Sequence, residues 1–123
     1  MKKTKFVIHS HSLKVCVNFF FNYTFDQVNS FLEKNDYEEL EDEYKRNLQG
    51  LYWRIECEKT NTNIYSIWIP EFNLDRKSLS ILVHELHHAV EEQANEKGLD
   101  CEETKAYLIE HYFLKVLEKF RFN

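Results

Sequence analysis

The sequence predicts an α+β fold: a small antiparallel sheet carrying a long helix, followed by a C-terminal helix. Three observations carry that expectation. Strand-like runs occupy the first 21 residues and residues 51–69, where apolar and polar side chains alternate. A run of helical periodicity then opens near Arg76 and closes at Gly98. A second such run follows at once, with Asp100 available to cap it. The chain has 123 residues, and no repeat, linker or low-complexity tract divides it, so one domain spanning 1–123 is expected.

Each element has its own signal. Lys5–Ile8 and Leu13–Phe20 are rich in β-branched and aromatic residues and read as strands. Phe25, Val28, Phe31 and Leu32 fall on one helical face, which predicts a helix to about Lys34. The acidic stretch from Asp36 to Tyr44 reads as a solvated loop or a second helix. In Leu51–Cys57 the apolar residues alternate with Tyr52, Arg54 and Glu56. The Asn61-Thr-Asn63 turn then returns the chain as Ile64–Ile69, which Pro70 ends. Asn73 or Asp75 can cap a helix over about Arg76–Lys97, with Gly98 at its C-terminus. The last helix reaches roughly Phe120, and its predicted apolar stripe is Ala106, Ile109, Phe113, Val116, Leu117 and Phe120.

Composition narrows the function classes. Sixteen basic against 21 acidic residues give a formal charge of −5, which repels nucleic acid and anionic membranes alike. Cys16, Cys57 and Cys101 are widely spaced and odd in number, the profile of reduced thiols in a cytoplasmic protein. The apolar stretch near Val15–Phe21 is interrupted by Asn18 and lacks a cleavage site, so no signal peptide is expected.

The chemistry is concentrated in His84-Glu85-Leu86-His87-His88, an H-E-x-x-H pattern inside the first long helix. His84 and His88 stand one turn apart on one face and can place two imidazole nitrogens on one ion. Glu85 is rotated by about 100° from His84, which suits it to act on a metal-held water as general base rather than to coordinate. Zinc accepts such ligands and acidifies its water, so Zn2+ is the expected cofactor. Leu79, Leu82, Val83, Leu86, Val90 and Ala94 form the predicted core stripe, with the two histidines roughly opposite and His87 toward the stripe.

A third ligand is expected, and Glu91, Glu102, Glu103, Glu110 and His111 lie within reach along the chain. Helical phase does not choose between Glu102 and Glu103. Asp100-x-x-Glu103 also matches a capping box, while the small Ala106 would allow close approach of the two helices.

H-E-x-x-H followed by Glu103-Thr-Lys-Ala106 on the next helix resembles the gluzincin branch of the zinc peptidases. The order Ile67-Trp-Ile-Pro-Glu-Phe-Asn73, His84–His88, Gly98 and Glu103–Tyr107 is similar to that of short phage-encoded and bacterial H-E-x-x-H proteins. The likeness covers about the last 60 residues. It implies a zincin-like domain with Glu103 as third ligand beside His84 and His88, and Glu85 as catalytic base. The expected function is a zinc-dependent metallopeptidase or related amide hydrolase acting on a peptide or protein. The alternative is a catalytically inactive, metal-stabilised binding or regulatory protein. The resemblance further implies that strand Ile64–Ile69 rims the cleft and pairs with an extended substrate. Tyr107 stands where the family carries Asp or Asn, so Glu110 is a second candidate for the supporting carboxylate.

Overall fold

The structure, a computed structural model, describes residues 2–10, 14–46, 48–57 and 62–121. Strands β1 (Thr4–Ser10) and β2 (Val15–Phe21) lead into helix α1 (Phe25–Lys34) and a short 3₁₀ turn at Asp42–Lys45. Strands β3 (Leu51–Cys57) and β4 (Thr62–Ile69) follow, then helices α2 (Arg76–Lys97) and α3 (Glu102–Arg121). The turn expected at Asn61–Asn63 begins outside the described residues.

The four strands form one sheet in the order β1-β2-β4-β3. The α+β class stands, with a correction to the sheet. Its outer pairs, β1/β2 and β3/β4, are antiparallel, but the central pair β2/β4 is parallel. Burial explains why these two strands are central. Val17–Phe21 and Ile64–Ile69 are buried on both faces, the pattern of interior strands, whereas most of β1 and β3 is only partly buried. The position of β4 also overturns the expectation that Ile64–Ile69 receives a peptide. Both of its edges are already paired, and β3 is the terminal strand on that side.

Each face of the sheet is covered. On one, Val17, Phe19, Phe21, Tyr65, Ile67 and Ile69 pack under Leu82, Leu86 and Val90 of α2 and under Leu108, Tyr112 and Val116 of α3. On the other, Phe20, Ile55, Ile64 and Trp68 pack under Phe25, Val28 and Leu32 of α1. Fully burying each such side chain contributes about 1.5–3 kcal/mol. α1 begins with a capping box, in which the Gln27 amide N–H donates to Thr24 Oγ1 and the Thr24 amide N–H to Gln27 Oε1. The acidic stretch after it is largely irregular and exposed, apart from the 3₁₀ turn.

The buried faces of α2 and α3 differ from the expected stripes. Val83 is 43 % exposed rather than part of the α2 core stripe, and Gln93 and Ala89 lie inside instead. In α3 the buried line is Leu108, Tyr112 and Val116, with Ile109, Phe113 and Phe120 beside it, and Ala106 is exposed. α3 starts at Glu102, so Cys101 rather than Asp100 takes the cap position. The Lys105 amide bonds the Cys101 carbonyl, and backbone hydrogen bonds from Thr104 and then Glu103 hold the Cys101 thiol below its ordinary pKa. No described helix is long and apolar enough to cross a membrane.

Candidate metal centre

Helix α2 is built to hold a fixed orientation. Asp75 caps it by accepting from the Ser78 amide at 2.7 Å, and Gly98 ends it in the left-handed conformation at φ 69°. Ahead of it, Asn22 ties the end of β2 to the incoming segment. Its side chain donates to the Phe72 carbonyl at 3.0 Å and accepts from the Phe72 amide at 2.7 Å. Leu82 and Leu86 turn one face into the core, which leaves His84 and His88 on the exposed face.

There His84 Nε2 and His88 Nε2 lie 3.1 Å apart. Two nitrogens bound to one tetrahedral zinc at ~2.05 Å are separated by roughly 3.3 Å, so the pair is close to the spacing an ion requires. Glu85 joins them: ligand atoms of His84, Glu85 and His88 all lie within 4.8 Å of one another. Among the described residues these three are the group of histidine, cysteine and carboxylate side chains that could hold a metal. Two imidazoles and a carboxylate are a donor set zinc accepts.

Glu85 differs from its neighbours in burial. It is 5 % exposed, although both histidines are open to solvent. Burial pushes its carboxyl above the ordinary range, and the neighbouring His84 and His88 draw it part of the way back. What covers it is Gly50, just ahead of β3. A Cβ at that position would come 2.6 Å from Ile81 Cγ2 and 3.2 Å from Glu85 Cγ, so this approach demands glycine. Gln49, Gly50, Ser80, Ile81, His84 and Glu85 line a cavity of about 340 Å³ beside the histidines. Gln49 and Ile81 also line a second hollow of about 240 Å³ that extends toward Pro70 and Asp75. The two form a cleft along the N-terminal half of α2.

The other expected site residues are placed elsewhere. Glu103 lies outside the group, exposed on the first turn of α3. The physical reason is phase: Glu103 sits roughly 150° around the helix from the buried line of Leu108, Tyr112 and Val116. It is Lys105 that reaches α2 at this level, bonding Glu91 at 3.3 Å and Glu102 at 3.5 Å. Glu102 and Glu110 are exposed too. Ala106, expected to let the two helices approach closely, is exposed. His87, expected toward the core, is on the surface with Nε2 3.9 Å from Glu91. His9 is exposed in β1, and His11 falls outside the described residues.

Sequence reasoning missed the supports beside the motif. Tyr52 and Arg54 of β3 face α2, where the Tyr52 hydroxyl donates to Glu92, one turn beyond His88, and Arg54 to Glu96. Tyr65 and Asn63 donate to Glu96 as well. Burial, then the Glu92 hydrogen bond, keeps Tyr52 protonated far above its ordinary pKa. For Glu96 burial opposes charge, but the bonds from Tyr65, Arg54 and Asn63 outweigh it and hold the carboxyl below its usual value. The spacing Glu85, Glu92, Glu96 was a usable signal, because those residues share one side of the helix. No protein-family model matches the chain, and no curated protein or solved structure matches it either.

Proposed function

We propose that the chain binds a zinc ion through His84 and His88 and hydrolyses an amide bond in a peptide or protein, with Glu85 as general base. The observation that carries this reading is the convergence of two imidazole nitrogens at 3.1 Å beside a buried carboxylate in the wall of a cleft. Zinc, when bound there, supplies a Lewis acid that polarises a carbonyl and acidifies water. Glu85 takes a proton at its carboxylate and returns it to the leaving nitrogen, work for which a raised pKa is suited. Gly50 limits water at Glu85 by sealing it from one side. β3, the terminal strand of the sheet, has no further strand beside it among the described residues and offers backbone groups to an extended substrate.

A second reading has its own support. The converging donors come from a single helix, with Glu103 outside the group, which favours a metal-stabilised binding or regulatory protein without turnover. Elemental analysis of purified protein tests the shared premise. Zinc at about one per chain is expected, falling to background in His84→Ala/His88→Ala. Full occupancy in that double variant would place the metal elsewhere and overturn both readings.

A further inference from the structure

The two terminal strands of the sheet differ in the charge around them. β3 has Glu38, Glu39 and Glu41 beside one face and Glu92 and Glu96 beside the other. β1 is flanked by lysines instead, in a chain whose net charge is −5. No further strand lies beside β1 among the described residues, so the outward backbone groups of Thr4–Ser10 are open to a partner strand. Its two faces carry different side chains. Lys5 stands opposite Phe20, on the α1 side of the sheet, and Phe6 opposite Phe19, on the side of α2 and α3.

On the α1 side the cations rest against aromatic rings. Lys3 Nζ lies 4.9 Å from the Tyr23 ring centre, and Lys5 Nζ lies 4.3 Å from that of Phe31. Lys3 and Lys34 line a hollow of about 310 Å³ together with Tyr23, Phe31 and Asp26. None of Lys3, Lys5 and Lys34 forms a salt bridge among the described residues. Burial lowers the Lys5 pKa, and no carboxylate draws it back up. A partly buried cation without a counter-charge gains from an anion brought to it. On the other side Phe6 is only partly buried, although it stacks on Phe19 at 5.2 Å, so it offers apolar surface to a neighbour.

We infer that the β1 edge receives an extended segment of a partner protein in which acidic residues alternate with apolar ones. Main-chain hydrogen bonds extend the sheet by one strand. Side chains on neighbouring strands stand roughly 5 Å apart at Cβ, so a carboxylate opposite Lys5 meets its ammonium and that of Lys3. The strand period of two then turns the adjoining residue to the other face, where an apolar side chain covers Phe6. Lysines at an edge oppose pairing with a like-charged edge, including β1 of a second copy, and so select the strand that neutralises them. The inference is independent of the metal and of any substrate at β3.

The probe is fluorescein-labelled acetyl-Glu-Val-Glu-Val-Glu-Val-amide, titrated with the full chain and followed by fluorescence anisotropy. Saturable binding is expected, weaker at high salt, and the Lys-Val counterpart should not bind. The same acidic peptide N-methylated at alternate residues keeps its charge but cannot pair as a strand, and should lose most of its affinity. Lys3→Glu/Lys34→Glu changes two exposed side chains and should weaken binding by roughly tenfold or more. Lys5→Met, which keeps the apolar stem, should weaken it as well. Hydrogen exchange should slow in Thr4–Ser10 on binding and stay unchanged in Leu51–Cys57. The inference is overturned if the acidic peptide shows no saturable binding, if N-methylation has no effect, or if protection appears at β3 instead. It is also overturned if sedimentation shows β1 already covered by a second copy, or if phosphatidylserine vesicles bind the chain while the peptide does not.

Discussion

Glu85 and His84 are neighbours in sequence, yet the helix turns one into the protein and the other out. That difference makes Glu85 the residue on which the two proposed readings part. Glu85→Gln keeps the shape and loses the proton acceptor. Under the hydrolase reading zinc content stays the same while turnover drops by roughly 10²–10⁴-fold, measured on a peptide library. Turnover equal to wild type in Glu85→Gln would sink the mechanism, and zinc-loaded wild type that cleaves nothing would favour the binding protein. Glu103→Ala should leave zinc content unchanged, because its carboxylate stands outside the converging group. A measured loss of metal from that variant would restore Glu103 as the ligand the gluzincin resemblance implies. Leu74, in the loop before α2, holds φ at 64° although it carries a Cβ. That conformation costs a non-glycine residue roughly 1–2 kcal/mol, and the side chain is 41 % exposed, so little packing is at stake. Leu74→Gly is therefore expected to raise stability by about 1 kcal/mol, less the added freedom of the unfolded chain. A higher urea midpoint at constant m-value is the check.

Helix α2 serves three partners at once, and its faces divide accordingly. Leu82, Leu86 and Val90 go to the core, the two histidines to solvent, and Glu85, Glu92 and Glu96 toward β3 and the segment before it. The polar contact between α2 and the sheet is thus made by carboxylates held by Tyr52 and Arg54 of β3 and by Tyr65 of β4. Its pH dependence follows from Glu96. Because the folded pKa is depressed below 4.5, this group adds stability above that pH and loses it as pH falls through the folded value. Chemical denaturation between neutral and acid pH should show wild type losing stability more steeply below pH 4.5 than Glu96→Gln does. Parallel curves would remove the clamp from the account of how α2 is positioned.

At the scale of the whole molecule, α1 lies on one face of the sheet and α2 with α3 on the other. The position of α2 depends on a joint at its entry. Asn22 bonds the Phe72 amide and carbonyl and also the Lys2 carbonyl at 2.9 Å, so it binds together the chain start, the end of β2 and the entry to α2. Removing it in Asn22→Ala leaves those backbone groups unmatched and should cost about 1–3 kcal/mol. Zinc affinity should be affected less than stability, since His84 and His88 share one helix and keep their mutual spacing while it stays folded. Calorimetry of both quantities on the same variant checks this.

Local chemistry was enough to place most elements. A capping Thr24 and a face of Phe25, Val28 and Leu32 predict α1, and Asp75 with Gly98 bounds α2, because caps and periodicity act within a few residues. The converging histidine pair was legible for the same reason: a spacing of four within one helix sets it almost without help. Tertiary structure decided whatever depended on the packing of separate elements. β2 and β4, buried on both faces over most of their length, lie side by side at the centre as a parallel pair, which leaves β3 at the edge. The rotation of α3 was settled by how Leu108, Tyr112 and Val116 fill the space above the sheet, and this carried Glu103 to the solvent side. Gly50 over Glu85, and the row of Asn18, Ser66 and Trp53, join residues far apart in the chain. Such juxtapositions arise from strand register and layer packing, which no local periodicity encodes.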